Sequence, residues 1–251
     1  MKRTLFAIGL TLLLAACTST TNQVAEFDDT RFTYDHTLAI SITTQWAPET
    51  IMLGAYESGS TPQHALFTLA GYNPQYDQRH QQPEIAVYLV ANFKRVNSYF
   101  KDQALSDLTK LLVEKPASIT STIRLPSVSP GCCFAHMLPK YLKFPNGSGV
   151  RFITYQRGQS IDPLANANLA YVFHGLTDDR QHYISAIFPV SVSFLPRKAA
   201  TKNPAIDMQT YISATLEYNE EVVRKIAALE SGDFQPNLNL LDEMLQSLQT
   251  K

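Results

Sequence analysis

The densest group of soft ligands in the chain is Cys132-Cys133-Phe134-Ala135-His136. Two thiols and an imidazole so close together could begin a metal site, but a closed site needs further ligands from elsewhere in the fold. A thiol nucleophile would need a neighbouring base and a depressed pKa. Adjacent Cα atoms lie about 3.8 Å apart, short of the usual disulfide span of about 4.4–6.8 Å, so a bridge between these two sulfurs is a strained ring. The preferred reading is small, inert thiols in a Pro-Gly loop, with a vicinal or redox-sensitive pair and metal ligation as the alternatives. His174 and His182 flank one hairpin and could face each other across it, as two ligands or as an ordinary polar cross-strand pair. The other histidines, His36, His64 and His80, fall in no metal-binding spacing, and HExxH is absent.

Other polar groups carry less chemistry. Asp178-Asp179 sit in a turn, where carboxylates bond local amides, and the stretch is too short for a calcium loop. Asn146-Gly147-Ser148-Gly149 is glycine-rich but lies between strands, whereas a phosphate cradle opens a helix. No GxSxG occurs, so the strand–turn–helix elbow of serine hydrolases is missing. The Gly71-Tyr72-Asn73-Pro74-Gln75-Tyr76 stretch, with His80, Gln81 and Gln82, reads as loop packing in preference to a binding surface. No catalytic residue, metal or cofactor is expected, and the protein reads as a non-enzyme.

The third cysteine has a different setting. Lys2-Arg3 precede an apolar run from Leu5 to Leu14, and Leu14-Ala15-Ala16-Cys17 follows. The cations hold the start on the cytoplasmic side, and the run falls short of the roughly 20 residues of a spanning helix. This pattern resembles the lipobox of a bacterial lipoprotein signal peptide. The resemblance implies cleavage before Cys17, acylation of its sulfur and of the new amine, and anchoring by several acyl chains. One chain binds membrane only marginally, at ~0.8 kcal/mol per buried CH₂, whereas two or more hold. Thr18 after the cysteine, in place of Asp, implies sorting to the outer membrane where a cell has two.

Losing residues 1–16 removes Lys2 and Arg3, taking the formal charge from −1 to −3. With no basic cluster, nucleic acid is excluded as a partner. Hydrophobic residues make up 45% and aromatics 10% of the chain, enough for a real core. The organisation expected is a signal peptide over 1–16, a lipidated cysteine and polar tether over 17–29, and one globular domain over 30–251.

Periodicity supplies the elements. Leu38, Ile40 and Ile42 alternate as in a strand, as does Ala65–Leu69, and Ile85–Val90 is nearly continuous. Phe100, Leu105, Leu108, Leu111, Leu112 and Val113 take helical spacing, begun by Asn97 or Ser98 and stopped by Pro116. Two hairpins follow, one around Asn146-Gly147 and one around Thr177–Arg180. In the second, residues 169–174 and 183–188 are apolar on both faces, which predicts a central hairpin covered on each side, with the helix at 207–229 packed on it. That helix has Asp207 as N-cap and Gly232 as its stop; a shorter helix carries Leu240, Leu241, Met244, Leu245 and Leu248.

Hairpins and covering helices make an α+β fold with a central antiparallel sheet. The layout resembles the PsbP fold of the photosystem II oxygen-evolving subunit, a likeness that implies no function. FPNGSGVRFITYQRGQSIDP, YVFHGLTDDRQHYISAIFPVSVSFLP and AGYNPQYDQRHQQPEIAVYLVANF resemble a family of bacterial secreted or lipid-anchored proteins. That likeness covers residues 30–230, departs at Arg180, where the family has Gly, and at Cys132-Cys133, and implies no activity. The functional expectation is a lipid-anchored envelope protein that binds a partner or scaffolds an assembly, with an envelope hydrolase or thiol/redox protein as the alternative.

Overall fold

The computed structural model describes residues 22–51, 60–72, 82–96, 98–120, 123–126, 135–155, 162–200 and 205–251. The fold is α+β. Seven antiparallel strands form one sheet: β3 (Ser41–Ala47), β4 (His64–Ala70), β5 (Glu84–Leu89), β9 (His182–Pro189), β8 (Leu169–Thr177), β7 (Gly147–Tyr155) and β6 (Met137–Phe144), in that spatial order. A second sheet joins β1 (Asn22–Phe27), β2 (Thr30–Asp35) and the C-terminal β12 (Gln249–Thr250). Short β10 (Ser191–Val192) pairs with β11 (Phe234–Gln235). The helices are α1 (Val90–Arg95), α2 (Ser98–Glu114), α3 (Met208–Ala227) and α4 (Leu238–Gln246).

The predicted hairpin is central. Every residue of β8 is buried, and β9 is buried from Tyr183 onward. Tyr171, Phe173, Ile184, Ala186 and Phe188 pack on one face with β1, β2, α3 and α4. Val172, Tyr183 and Ile187 pack on the other with Phe93 of α1 and Leu105, Leu108 and Leu111 of α2. A strand apolar on both sides is stable only between two covering layers. The expected helix α3 joins this layer through Val222 and Ile226, but it shares the face with α4. The principal strand contact of α3 is the edge strand β6; its Val222 and Ile226 are buried, while Met208 and Leu216 stay exposed. α4 reaches β8 directly, through Asp242 and the Tyr171 hydroxyl.

Four local expectations shift. Asn22–Phe27, read as tether, is a strand paired along its whole length with β2. Leu38 is buried but Ile40 is 79% exposed, so their alternation is not a strand face; β3 begins one residue later. The first hairpin turns on Pro145-Asn146, with Phe144 facing Gly147, because Gly147 and Gly149 belong to the strand. A Cβ on Gly149 would stand 2.2 Å from the Phe173 ring and 2.7 Å from the His174 carbonyl. Finally, α3 ends at Ala227, well before Gly232. Its start is as expected: Asp207 accepts from the Thr210 N–H at 3.0 Å. α2 begins at Ser98 and closes with Lys115, at φ 48°, donating to the Leu111 carbonyl at 2.9 Å before Pro116.

Candidate functional site

Cys17, Cys132 and Cys133 lie outside the described residues, as does the whole loop from Asn73 to Gln81. The histidines expected to face each other do not. His174 pairs with Ser185 in register, and its ring lies with Phe152 and Tyr183 under α2. Tyr183 shares that face, so His182, one residue earlier, points to the opposite one. A shared metal between the two is therefore corrected. Among the described residues, no group of three or more His, Cys, Asp or Glu is placed to hold a metal ion.

His174 is fixed as a neutral, buried ring. Its Nδ1 lies 2.8 Å from the Tyr183 hydroxyl. Tyr183 donates its single proton to the Pro126 carbonyl at 3.2 Å. A carbonyl can only accept, so Nδ1 must carry the proton and donate to the Tyr183 oxygen. Burial, with a smaller push from His136, lowers the His174 pKa to about 3. Burial also raises the Tyr183 hydroxyl. His136 packs edge-on against Phe152 at 4.6 Å and is lowered in pKa, again mainly by burial. These are groups held out of proton exchange near neutral pH, the opposite of what a general base needs. In the second turn Asp179 accepts from Thr177 Oγ1 at 2.6 Å and from the Gln181 N–H at 2.9 Å. It is the turn carboxylate expected from sequence.

A charged cluster under the surface, among the described residues, has no counterpart in the sequence reading. Asp242 on α4 is 1% exposed. Its Oδ1 accepts from the Tyr171 hydroxyl at 2.8 Å and from Arg151 Nε at 3.2 Å. Its Oδ2 accepts from Lys140 Nζ at 2.7 Å. Three elements thus converge: β8 supplies Tyr171, β7 supplies Arg151 and β6 supplies Lys140. The β6 backbone is bent to allow this. Met137 faces Ile153 and Lys140 faces Arg151, so Leu138 and Pro139 together oppose Phe152, a bulge. Inside it Leu138 takes φ 52°, a left-handed conformation costly for a Leu. The bend aims its carbonyl at Arg151 Nη1, 2.7 Å away.

Arg151 is 4% exposed, yet its donors are not all used. A guanidinium has five N–H groups. Asp242 and Leu138 take one each, and the cation lies 5.8 Å from the centre of the Tyr171 ring. Among the described residues no acceptor is set against Nη2. Arg151 lines an open pocket of about 510 Å³, with Leu138 and Lys140 on one side and Glu230, Gly232 and Asn239 on the other. Asn239 belongs to the first turn of α4, and its N–H already donates to the Asn237 Oδ1 cap at 2.9 Å. Burial also holds the Tyr171 hydroxyl well above its usual pKa, aided by Asp242, so it stays a donor. The arrangement can hold a small anionic group.

The signals were present but weak. Arg151 is a lone charge inside the apolar run VRFITY, and Asp242 interrupts the apolar stripe of α4.

The class of the protein is set at its other end. Residues 1–18 match the prokaryotic membrane lipoprotein lipid attachment site. The protein is thus a bacterial lipoprotein, membrane-associated through lipid. No curated protein and no solved structure matches the chain, so neither the PsbP-like resemblance nor the family resemblance gains support there. Among the described residues no helix is long and apolar enough to cross a membrane.

Proposed function

We propose that this lipoprotein is an envelope binding module which captures a ligand or partner through a carboxylate or phosphate group in the pocket over Arg151. One observation carries the reading: a buried arginine, oriented by Asp242 and the Leu138 carbonyl, at an open pocket, with no acceptor among the described residues set against Nη2. Arginine presents parallel N–H donors to planar or tetrahedral anions. Asp242 is already met by three donors, so it positions the guanidinium and is not itself free to bind. Glu230 at the rim disfavours a ligand of high negative charge, which favours a single carboxylate over a phosphate monoester, a near-dianion at neutral pH. In this reading lipid on Cys17 holds the domain at a membrane surface, and Thr18 favours the outer membrane of a two-membrane cell, with the domain facing the periplasm or the exterior.

The test is a thermal-shift titration with inorganic phosphate, glycerol 3-phosphate and an N-acetylated peptide bearing a free C-terminal carboxylate. A ligand at 100 times its Kd stabilises by about 2.7 kcal/mol, a shift of several degrees. Gly232→Leu should abolish the shift without unfolding the protein, because a Cβ at Gly232 meets no atom within 4 Å. No shift with any probe, or the same shift in Gly232→Leu, would overturn the reading.

A further inference from the structure

The large sheet ends on two unlike edges. β6 is covered by α3 and α4. β3 is open: Ser41, Thr43, Thr44, Gln45 and Trp46 are all exposed, and among the described residues no strand pairs on its outer side. The direction of its free backbone groups follows from β4. Leu69 donates its N–H to the Pro83 carbonyl at 3.0 Å, so Ala65, Phe67 and Leu69 bond toward β5. Antiparallel ladders alternate. Leu66, Thr68 and Ala70 therefore bond β3, at Gln45, Thr43 and Ser41. The N–H and C=O groups of Ile42, Thr44 and Trp46 are left pointing outward.

Such an edge is a template for another strand, and sheets blunt it with Lys, Pro, inward charges or bulges. SITTQWA contains none of these residues, and its pairing with β4 runs unbroken over all seven positions. Trp46 is 48% exposed and packs on Phe27 at 5.7 Å between ring centres.

We propose that β3 is the pairing edge of a two-fold dimer of this protein, antiparallel and centred on Thr44. In that register Thr44 faces Thr44 of the second copy and Ile42 faces Trp46, and each facing pair exchanges two backbone hydrogen bonds. The occupant is a second copy because the strand suits itself. It carries no charge, so no like charges oppose each other across the axis. The register sets an aromatic against a β-branched residue on one face. On the other it sets Thr43 against Gln45, polar against polar. A strand edge of this length is a small interface, in the class below roughly 1,200 Å² that gives transient contacts. The anchor offsets that weakness. Cys17 lies five residues from Asn22, at most about 17 Å of chain, and β1 packs beside β3. Copies tethered in one leaflet meet at high effective concentration.

The experiment uses full-length lipidated protein in phosphatidylcholine vesicles, in a Cys132→Ser, Cys133→Ser background. Under mild oxidation Thr44→Cys should form a disulfide dimer at least tenfold faster than Thr43→Cys. Facing Cα atoms across a hydrogen-bonded pair lie about 5.5 Å apart, whereas residue 43 meets its counterpart only on the diagonal, at about 7–8 Å. Equal rates overturn the proposal. Energy transfer between labelled copies should fall severalfold in Thr44→Pro, which removes an outward N–H and leaves the β4 ladder whole. Should that variant melt far below wild type, Thr44→Lys reads the same loss by setting two cations face to face. Wild-type energy transfer in a folded variant of either kind overturns the proposal and assigns association to another face.

Discussion

Replacing Asp242 by Asn tests how the pocket floor is held. The carboxylate is almost fully buried and receives three donors, two of them cationic. Asn keeps the shape but removes the charge and turns one acceptor into a donor facing Lys140 or Arg151. Lys140 is about half exposed, so water takes over much of its lost interaction. Arg151 cannot be rescued that way, because its side chain is buried. Breaking a buried pair from one side costs about 3–5 kcal/mol, and that range is the expectation here. Tyr171→Phe removes one neutral donor and should cost about 1–2 kcal/mol; Lys140→Met should cost under about 1 kcal/mol. The decisive variant is the double replacement Asp242→Leu with Arg151→Met. Apolar substitutes for a whole buried pair are often neutral, so the double variant should be more stable than Asp242→Asn alone. Urea unfolding with a constant m-value measures all four. An Asp242→Asn loss under 1 kcal/mol, or a double variant worse than the single one, would refute the argument.

Stability should also fall in mild acid through His174. Its native pKa is about 3 against about 6.5 unfolded, so only the unfolded chain takes up its proton between these values. The contribution is complete above pH 6.5 and is lost at up to about 1.4 kcal/mol per pH unit as pH falls toward 3. His136 and His64 are shifted the same way by burial. Against wild type, His174→Gln should lose ground at pH 7.5 and regain it by pH 5; parallel unfolding curves over that range would refute this. Ile184→Asp should unfold the protein, since the residue is fully buried in central β9 and an unpaired carboxylate there is costly. A melting temperature within a few degrees of wild type would place the core elsewhere.

The parts of the fold legible in the sequence were those with a strong, sustained period. β8 and β9 are apolar at every other position on both faces, and α2 repeats Leu at helical spacing. β1 was missed because NQVAEF buries little beyond Ala25, so its strand character comes from pairing with β2. Leu38 and Ile40 misled because the chain bends before β3, which breaks the phase of the alternation. The site was hidden for another reason. Asp242 lies 102, 91 and 71 residues from Lys140, Arg151 and Tyr171, so no local spacing could announce it. The His174–His182 pairing was excluded by parity alone: partner positions across β8–β9 sum to 359, which gives His174 to Ser185.

The C-terminal segment explains how one small fold can keep an anchor, a pocket and an open edge apart. α4 carries Asp242 to β8, β7 and β6. Directly after it, Ser247 accepts the Thr33 N–H at 2.8 Å, and β12 pairs with β2. Asn146 in the β6–β7 turn closes the circuit through Thr250 Oγ1 at 3.0 Å. The last residues therefore fasten the N-terminal hairpin, where the lipid tether arrives, to the pocket end of the sheet. Pocket and pairing edge sit at opposite ends of seven strands. At about 4.8 Å per strand, dimerisation through β3 would hold two pockets about 60 Å apart, far beyond the reach of one small ligand. Each pocket then acts alone on a small molecule, while a partner displaying repeated anionic groups at that spacing gains avidity from both. Thr44→Pro would remove that gain and leave the affinity of a single pocket untouched.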